Sequence, residues 1–162
     1  MSLEIRFATK DDINVLISIY TIARNYMITH GNPTQWGDVY PTIEQITIDI
    51  EKNGLYVCTS NNIISAVFAC FPGPDQTYGE IEGNWTNNLE YHVIHRIASN
   101  NTVKDIGKYC IQWCLNKFKN IRIDTHKDNK KMLLLMNQMK FTYCGIVHVR
   151  NSERVAFQKL ID

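Results

Sequence analysis

The chain has 162 residues, 44% of them hydrophobic and 20% charged, with 17 basic against 16 acidic side chains for a formal charge of +1. That length encloses one ordinary core, and the composition excludes a disordered polyelectrolyte. The near-neutral balance gives no net electrostatic case for nucleic acid or an acidic membrane, and Lys127, Lys130 and Lys131 read as a solvated helix face.

"LEIRFA" alternates as a strand does, and Thr9 with Asp12 three residues later forms a capping-box signal ahead of Ile13, Leu16, Ile17 and Tyr20. A loop through Gly31, Asn32 and Pro33 leads to "QWGDVYP", after which Thr42 and Gln45 open a second helix that closes at Asn53 and Gly54. "LYVCTS" and "IISAVFACF" are two strands joined by Asn61 and Asn62, residues that tolerate the left-handed backbone of a tight hairpin. "LEYHVIHRIA" is a long strand, and apolar spacing predicts a helix from about Thr102 to Phe118. "NIRIDTH" is a strand, "DNKKMLLLMNQMK" a helix, and "FTYCGIVHV" and "RVAFQKL" are two strands around a turn at Asn151. This order implies a single α/β domain over residues 1–162, an α+β mixed sheet covered by helices.

Five cysteines without a regular framework suit a reducing compartment and core packing. No apolar run approaches the ~18 residues of a membrane span and the start has no leader pattern, so a cytoplasmic protein is expected. No His or Cys set completes a metal site, and Asp124, His126 and Asp128 read better as a strand end entering a capped helix.

"SNNTVKDIGKYC" runs from a strand into a helix. A helix start offers unpaired N–H groups and a positive dipole end to phosphate, although a lone Gly107 is by itself a weak signal and an ordinary capped helix is the simpler reading. In order and spacing, "HRIAS", "KDIGKYCIQWC", "IRIDTHKDNKKM" and "KFTYCGIV" resemble the acetyl-coenzyme A core of the GNAT superfamily of N-acetyltransferases. The resemblance is clearest from Tyr91 to Val149 and implies a mostly antiparallel mixed sheet with a splayed strand pair and helices on both faces. It further implies acetyl-CoA as cosubstrate, with Ile97, Ala98 and Ser99 pairing with the pantetheine arm. Val103, Lys104, Asp105, Ile106, Gly107 and Lys108 would wrap the pyrophosphate, and Asn129 would lie near the pantetheine end.

The family's loop is (Arg/Gln)-x-x-Gly-x-(Gly/Ala); here Thr102 and Asp105 depart from it and Gly107 matches. The family's acid tyrosine falls on Met136, and the glycine of its Gly-Phe pair on Lys140.

N-acetylation by direct attack needs a base for the amine and a proton for the leaving thiolate. His92, His95 and Glu82 are candidates for the first and Tyr143 for the second, with core packing or solvation the alternative for each. Trp36, Tyr40 and Trp85 are candidates for an acceptor pocket, where packing explains each equally well. The expected acceptor is a small-molecule or peptide amine, with no nucleic acid or membrane partner, and edge strands open to pairing favour a homodimer. The alternative is a non-catalytic CoA-binding or regulatory module, favoured by Asp105, Met136 and Lys140.

Overall fold

A computed structural model describes residues 2–162. The elements are β1 (Leu3–Phe7), α1 (Ile13–Thr29), α2 (Ile43–Glu51), β2 (Leu55–Ser60), β3 (Ile63–Pro72), β4 (Glu82–Gly83), β5 (His92–Ser99), α3 (Ile106–Phe118), β6 (Asn120–Thr125), α4 (Lys130–Gln138), β7 (Thr142–Val149) and β8 (Ser152–Leu160). The strands form a mixed sheet in the order β1-β2-β3-β5-β6-β8-β7-β4, which bears out the expected class. The chain divides into two compact units, one running up to Cys70 together with His95–Cys110, the other Phe71–Ile94 with Ile111–Asp162.

In the first unit β1, β2 and β3 pair antiparallel. Asn61 and Asn62 turn the β2–β3 hairpin at φ 51° and 67°, the left-handed geometry that suits the twist of the flanking strands. Thr9 donates its backbone N–H to Asp12 at 2.8 Å, and Arg6 grips the same carboxylate at 2.8 and 3.0 Å. The Arg6 hydrogen bond holds the Asp12 carboxyl below its usual range. At the head of α2 the Thr42 hydroxyl accepts the Gln45 N–H at 3.1 Å, the cap read from the sequence. Leu16, Tyr20, Val57 and Phe68 are almost wholly enclosed. Each such side chain contributes roughly 1.5–3 kcal/mol by leaving water.

In the second unit β6 pairs antiparallel with β8, β8 with β7, and β7 with β4. Arg150 and Asn151 turn the β7–β8 hairpin at φ 48° and 58°. The parallel ladder between β5 and β6 joins His92 to Ile121, Val93 to Arg122 and Ile94 to Ile123, and ends there. Tyr78, Val93, Val147 and Ala156 form a buried cluster against which Ile81, Trp85 and Tyr91 pack.

Two boundaries and one additional strand depart from the sequence expectation in ways that bear on the site. Helix α3 begins at Ile106 rather than Thr102, because the Asn100 side chain folds back to accept the Thr102 N–H at 3.1 Å, and Asn101 and Asp105 both take φ 60°. Strand β5 begins at His92 rather than Leu89. Strand β4 was not foreseen. It exists because Gly83 and Gly145 face each other at φ 137° and 142°, and a Cβ on Gly145 would meet the Glu82 carbonyl oxygen at 2.1 Å. Neither side of that crossing can bear a side chain.

Gly145→Ala is therefore expected to detach β4 and lower stability by about 1–3 kcal/mol, the usual cost of a strained backbone position. Urea unfolding measures the loss; an unchanged midpoint would show that β4 pairing contributes nothing.

Candidate functional site

The stretch from Ile97 to Lys108 lies wholly in the first unit. Ala98 is buried, with Ile97 and Ser99 half-buried around it. The loop then folds on its own polar groups: Asn100 Oδ1 accepts from the Thr102 hydroxyl at 2.6 Å, and the Asn101 N–H donates to Ser99 Oγ at 3.3 Å. The first helical bond of α3 runs from Tyr109 N–H to the Asp105 carbonyl at 3.0 Å. The amides of Ile106, Gly107 and Lys108 thus precede the hydrogen-bonded ladder and stand at the positive end of a 13-residue helix. Ile106 anchors that end in the core, at 2% exposure, while Lys104 and Lys108 are exposed beside it.

Asp105 is exposed, and its backbone takes the left-handed conformation for which glycine is the default residue. Aspartate is among the side chains that tolerate this region best. Its carboxylate makes no hydrogen bond or ion pair with any described residue, so it does not cap α3 through its side chain. Lys140 repeats the pattern at the end of α4: it sits at φ 60°, its N–H donates to Asn137 O at 3.1 Å, and Phe141 N–H reaches back to Met136 O at 2.9 Å. Both positions at which the sequence resemblance implies a glycine thus have a left-handed backbone.

Arg96 lies inside β5 at φ 51°. Its guanidinium forks onto Asp49, Nε to Oδ2 at 2.7 Å and a terminal nitrogen to Oδ1 at 2.9 Å, and its other nitrogen donates to the Tyr40 hydroxyl at 3.0 Å. The Tyr20 hydroxyl donates to the Arg96 carbonyl at 2.8 Å. Trp36, 7% exposed, stands edge-on to Tyr20 at 5.7 Å and to Tyr40 at 6.5 Å. Trp36 and Tyr40, expected at an acceptor pocket, are brought together around this ion pair. Sequence reasoning missed Asp49, Arg96 and Tyr20. The available signal was Asp49 three residues after the buried Ile46, on the inward side of α2.

The second unit holds the remaining candidates. His92 is half-buried, stacked on Phe118 with ring centroids 3.8 Å apart, and desolvation lowers its pKa from the ordinary 6.5. Glu82 is exposed on β4, 3.2 Å from His148 Nε2. Glu82, His148 and Glu153 bring potential ligand atoms within 4.8 Å of one another on three neighbouring exposed strand positions. Trp85 donates Nε1–H to the Tyr78 carbonyl at 3.1 Å and lies 4.2 Å from the Arg122 guanidinium, which also rests 3.9 Å from the Tyr91 ring. Tyr143 is 61% exposed, with its ring edge on Phe157. Asn129 caps α4, accepting the Met132 N–H at 3.2 Å. Met136 is fully buried.

His95, in the first unit, is half-buried. The Asp124 carboxylate accepts the Tyr78 hydroxyl at 2.6 Å, and His126 Nδ1 accepts the Asp128 N–H at 3.0 Å, so both act within the protein. All five cysteines are free and buried, and a hydrogen bond to Cys58, with burial, pushes the Cys110 thiol up. Among the described residues no helix is long and apolar enough to cross a membrane.

The parallel β5–β6 ladder ends at Ile94 and Ile123, while β5 itself runs on to Ser99 ahead of the loop that leads into α3. No family model and no curated relative matches the chain. Among solved structures, a GNAT-family acetyltransferase from Streptococcus agalactiae is 28% identical, with TM-score 0.91 over 99% of this chain and 96% of that one. A GNAT-family acetyltransferase from Listeria monocytogenes superposes at 0.70 with 17% identity over 98% and 95%. The yncA protein of Salmonella typhimurium, determined with its cofactor acetyl-CoA, superposes at 0.64 with 13% identity over 100% and 95%. The chain has the GNAT fold.

Two outcomes follow from the backbone and from His92. Lys140→Gly relieves a left-handed lysine and is expected to stabilise by about 0.5–1 kcal/mol in urea unfolding, after the entropy that glycine adds to the unfolded chain. His92 has a lowered pKa, so the unfolded state takes up its proton first; stability contributed by the neutral ring is present above 6.5 and falls as the pH drops below it. His92→Gln should flatten the decline in melting temperature between neutral and mildly acidic pH. An unchanged slope would assign that decline to other groups.

Proposed function

We propose that the chain is an acetyl-CoA-dependent N-acetyltransferase acting on a primary amine of a small molecule or an exposed peptide, by direct attack in a ternary complex. The observation that carries this reading is the retained left-handed backbone at Asp105, which leaves the amides of Ile106, Gly107 and Lys108 open at the head of α3 within a fold shared with GNAT acetyltransferases. Those amides, with Lys104 and Lys108, suit a pyrophosphate. Ile97, Ala98 and Ser99 would align the pantetheine arm, and Asn129 would serve its far end while capping α4.

The cosubstrate supplies an activated acetyl group as a thioester. The protein's part is to bind it, to present the amine in neutral form and to receive its proton. His92 suits the last task, because desolvation favours its neutral form at neutral pH. His95 and Glu82 remain rival bases, Glu82 acting through water, and exposed Tyr143 is the candidate donor to the thiolate. Tyr40 and Trp85 keep exposed ring surface for an acceptor, and Trp36 supports Tyr40 from within. We further propose a cytoplasmic protein built as one domain.

A second reading, a non-catalytic CoA-binding or regulatory module, is favoured by Met136, which is fully buried where the family's acid tyrosine would stand.

Differential scanning fluorimetry with acetyl-CoA and with CoA tests the shared premise. A rise in melting temperature at saturating ligand is expected, and none would refute both readings. Thiol release across an amine panel then separates them, turnover supporting the enzyme and silence the module. For the enzyme, His92→Gln should abolish the acidic limb of the rate profile below 6.5; an intact limb would move the base role to His95 or Glu82. Asp105→Asn keeps a residue that tolerates the left-handed backbone while removing the charge. It is expected to tighten CoA binding roughly two- to fivefold by calorimetry, as a helix-dipole interaction of about 0.3–1 kcal/mol allows.

A further inference from the structure

A closely bonded polar cluster of the first unit is centred on β5, just ahead of the residues proposed to pair with the pantetheine arm. Arg96 occupies a left-handed conformation inside β5, two residues before Ala98, and a long unbranched side chain has no local preference for it. Such a residue persists where its surroundings over-determine it. Here they do so from both ends. The Tyr20 hydroxyl takes the Arg96 carbonyl at 2.8 Å, while Asp49 receives the guanidinium at 2.7 and 2.9 Å and the Tyr40 hydroxyl receives its third nitrogen at 3.0 Å. The Asp49 carboxylate is held in turn by Gln45 Nε2 at 3.0 Å. The side chains of Asp49 and Arg96 are 3% and 13% exposed, so water competes little for either charge.

A left-handed residue within a strand turns its own carbonyl out of the ladder and re-aims the backbone that follows. We infer that Asp49, Tyr20 and Tyr40 are positioning residues: they clamp Arg96 so that Ile97, Ala98 and Ser99 present their backbone groups in the register that a pantetheine arm needs. This rests on the CoA-binding reading above. It assigns a binding role to α1 and α2, neither of which supplies a residue to the loop at the head of α3. None of the three side chains need touch the ligand; their effect passes through the Arg96 backbone.

The test uses two ligands that share a nucleotide and differ in the arm. CoA has both; 3′-phosphoadenosine 5′-diphosphate lacks pantetheine. Wild type, Tyr20→Phe and Asp49→Asn are titrated with each by calorimetry, and acetyl-CoA kinetics are measured on the same proteins.

The expected result is that both variants bind CoA about tenfold more weakly while 3′-phosphoadenosine 5′-diphosphate stays within about twofold, with KM for acetyl-CoA raised more than kcat is lowered. Should Asp49→Asn fail to fold, Tyr20→Phe, which removes one hydroxyl, decides alone. Equal weakening of both ligands would reduce the clamp to general stability, and unchanged CoA affinity in a folded variant would remove it from binding; either overturns the inference. Wild-type protein that binds neither ligand would overturn the CoA-binding reading itself.

Discussion

A buried guanidinium has to be matched where it lies, and the Arg96–Asp49 pair is the constraint around which the first unit is arranged. Burial works to lower the arginine's pKa, but the Asp49 charge and the Tyr40 and Tyr20 hydroxyls outweigh it, and the group is held above its ordinary value. Such a pair adds little net stability against an apolar replacement; removing one partner is what costs, because the other charge is stranded. Its contribution is therefore to specificity of arrangement. It fixes α2 relative to β5, and with Tyr20 it fixes α1, whose buried tyrosine would otherwise leave a hydroxyl unsatisfied. Trp36 closes the apolar side of the same cluster, which explains why two aromatic residues from a sequence stretch rich in turn residues are so well packed.

The second unit solves a similar problem by another route. Arg122 is 5% exposed and, among the described residues, has no carboxylate within ion-pair distance and no partner for its Nε; it lies against the Trp85 and Tyr91 rings and donates to the Asn87 carbonyl at 2.9 Å. Desolvation accordingly lowers its pKa. Aromatic faces hold a cation through their quadrupole without a formal charge, and the consequence is mechanical. Asn87 Oδ1 also receives Asn120 Nδ2 at 2.9 Å and Gln158 Nε2 at 3.1 Å, so the segment between β4 and β5 is tied to β6 and β8 by a shared polar network. A stretch that reads as an irregular loop is ordered by contacts from strands far along the chain.

That difference separates what was legible in the sequence from what was not. The hairpins at Asn61–Asn62 and Asn151, the caps at Thr9 and Thr42, and the alternating strands are decided by residues within a few positions of one another, and local rules read them. Apolar spacing starts α3 too early because Val103 continues the periodicity of the helix while the backbone, turned by Asn101 and Asp105, does not follow it. Strand β4 has no periodicity; two glycines 62 residues apart admit the close crossing. Asp49 and Arg96 lie 47 residues apart, and a single carboxylate in "IEQITIDIE" looks solvated until its partner is known. The candidate site was legible as a strand, a loop and a helix, whereas the side chains that hold it in shape were not.

The departures at Asp105 and Lys140 show why a motif written as letters can understate what a chain preserves. What a glycine contributes at such positions is a positive φ, and both residues supply it at 60°. The fold carries the cost of a β-carbon there, more lightly for aspartate than for lysine. What changes is charge. With nothing bound, a carboxylate beside the first turn of α3 is favourable, since it faces the positive end of the helix dipole. A pyrophosphate would draw on the same dipole and the same open amides. The side chain that steadies the helix head would therefore oppose the pyrophosphate proposed to bind there, and the net affinity would depend on how far Lys104 and Lys108 screen one negative group from the other.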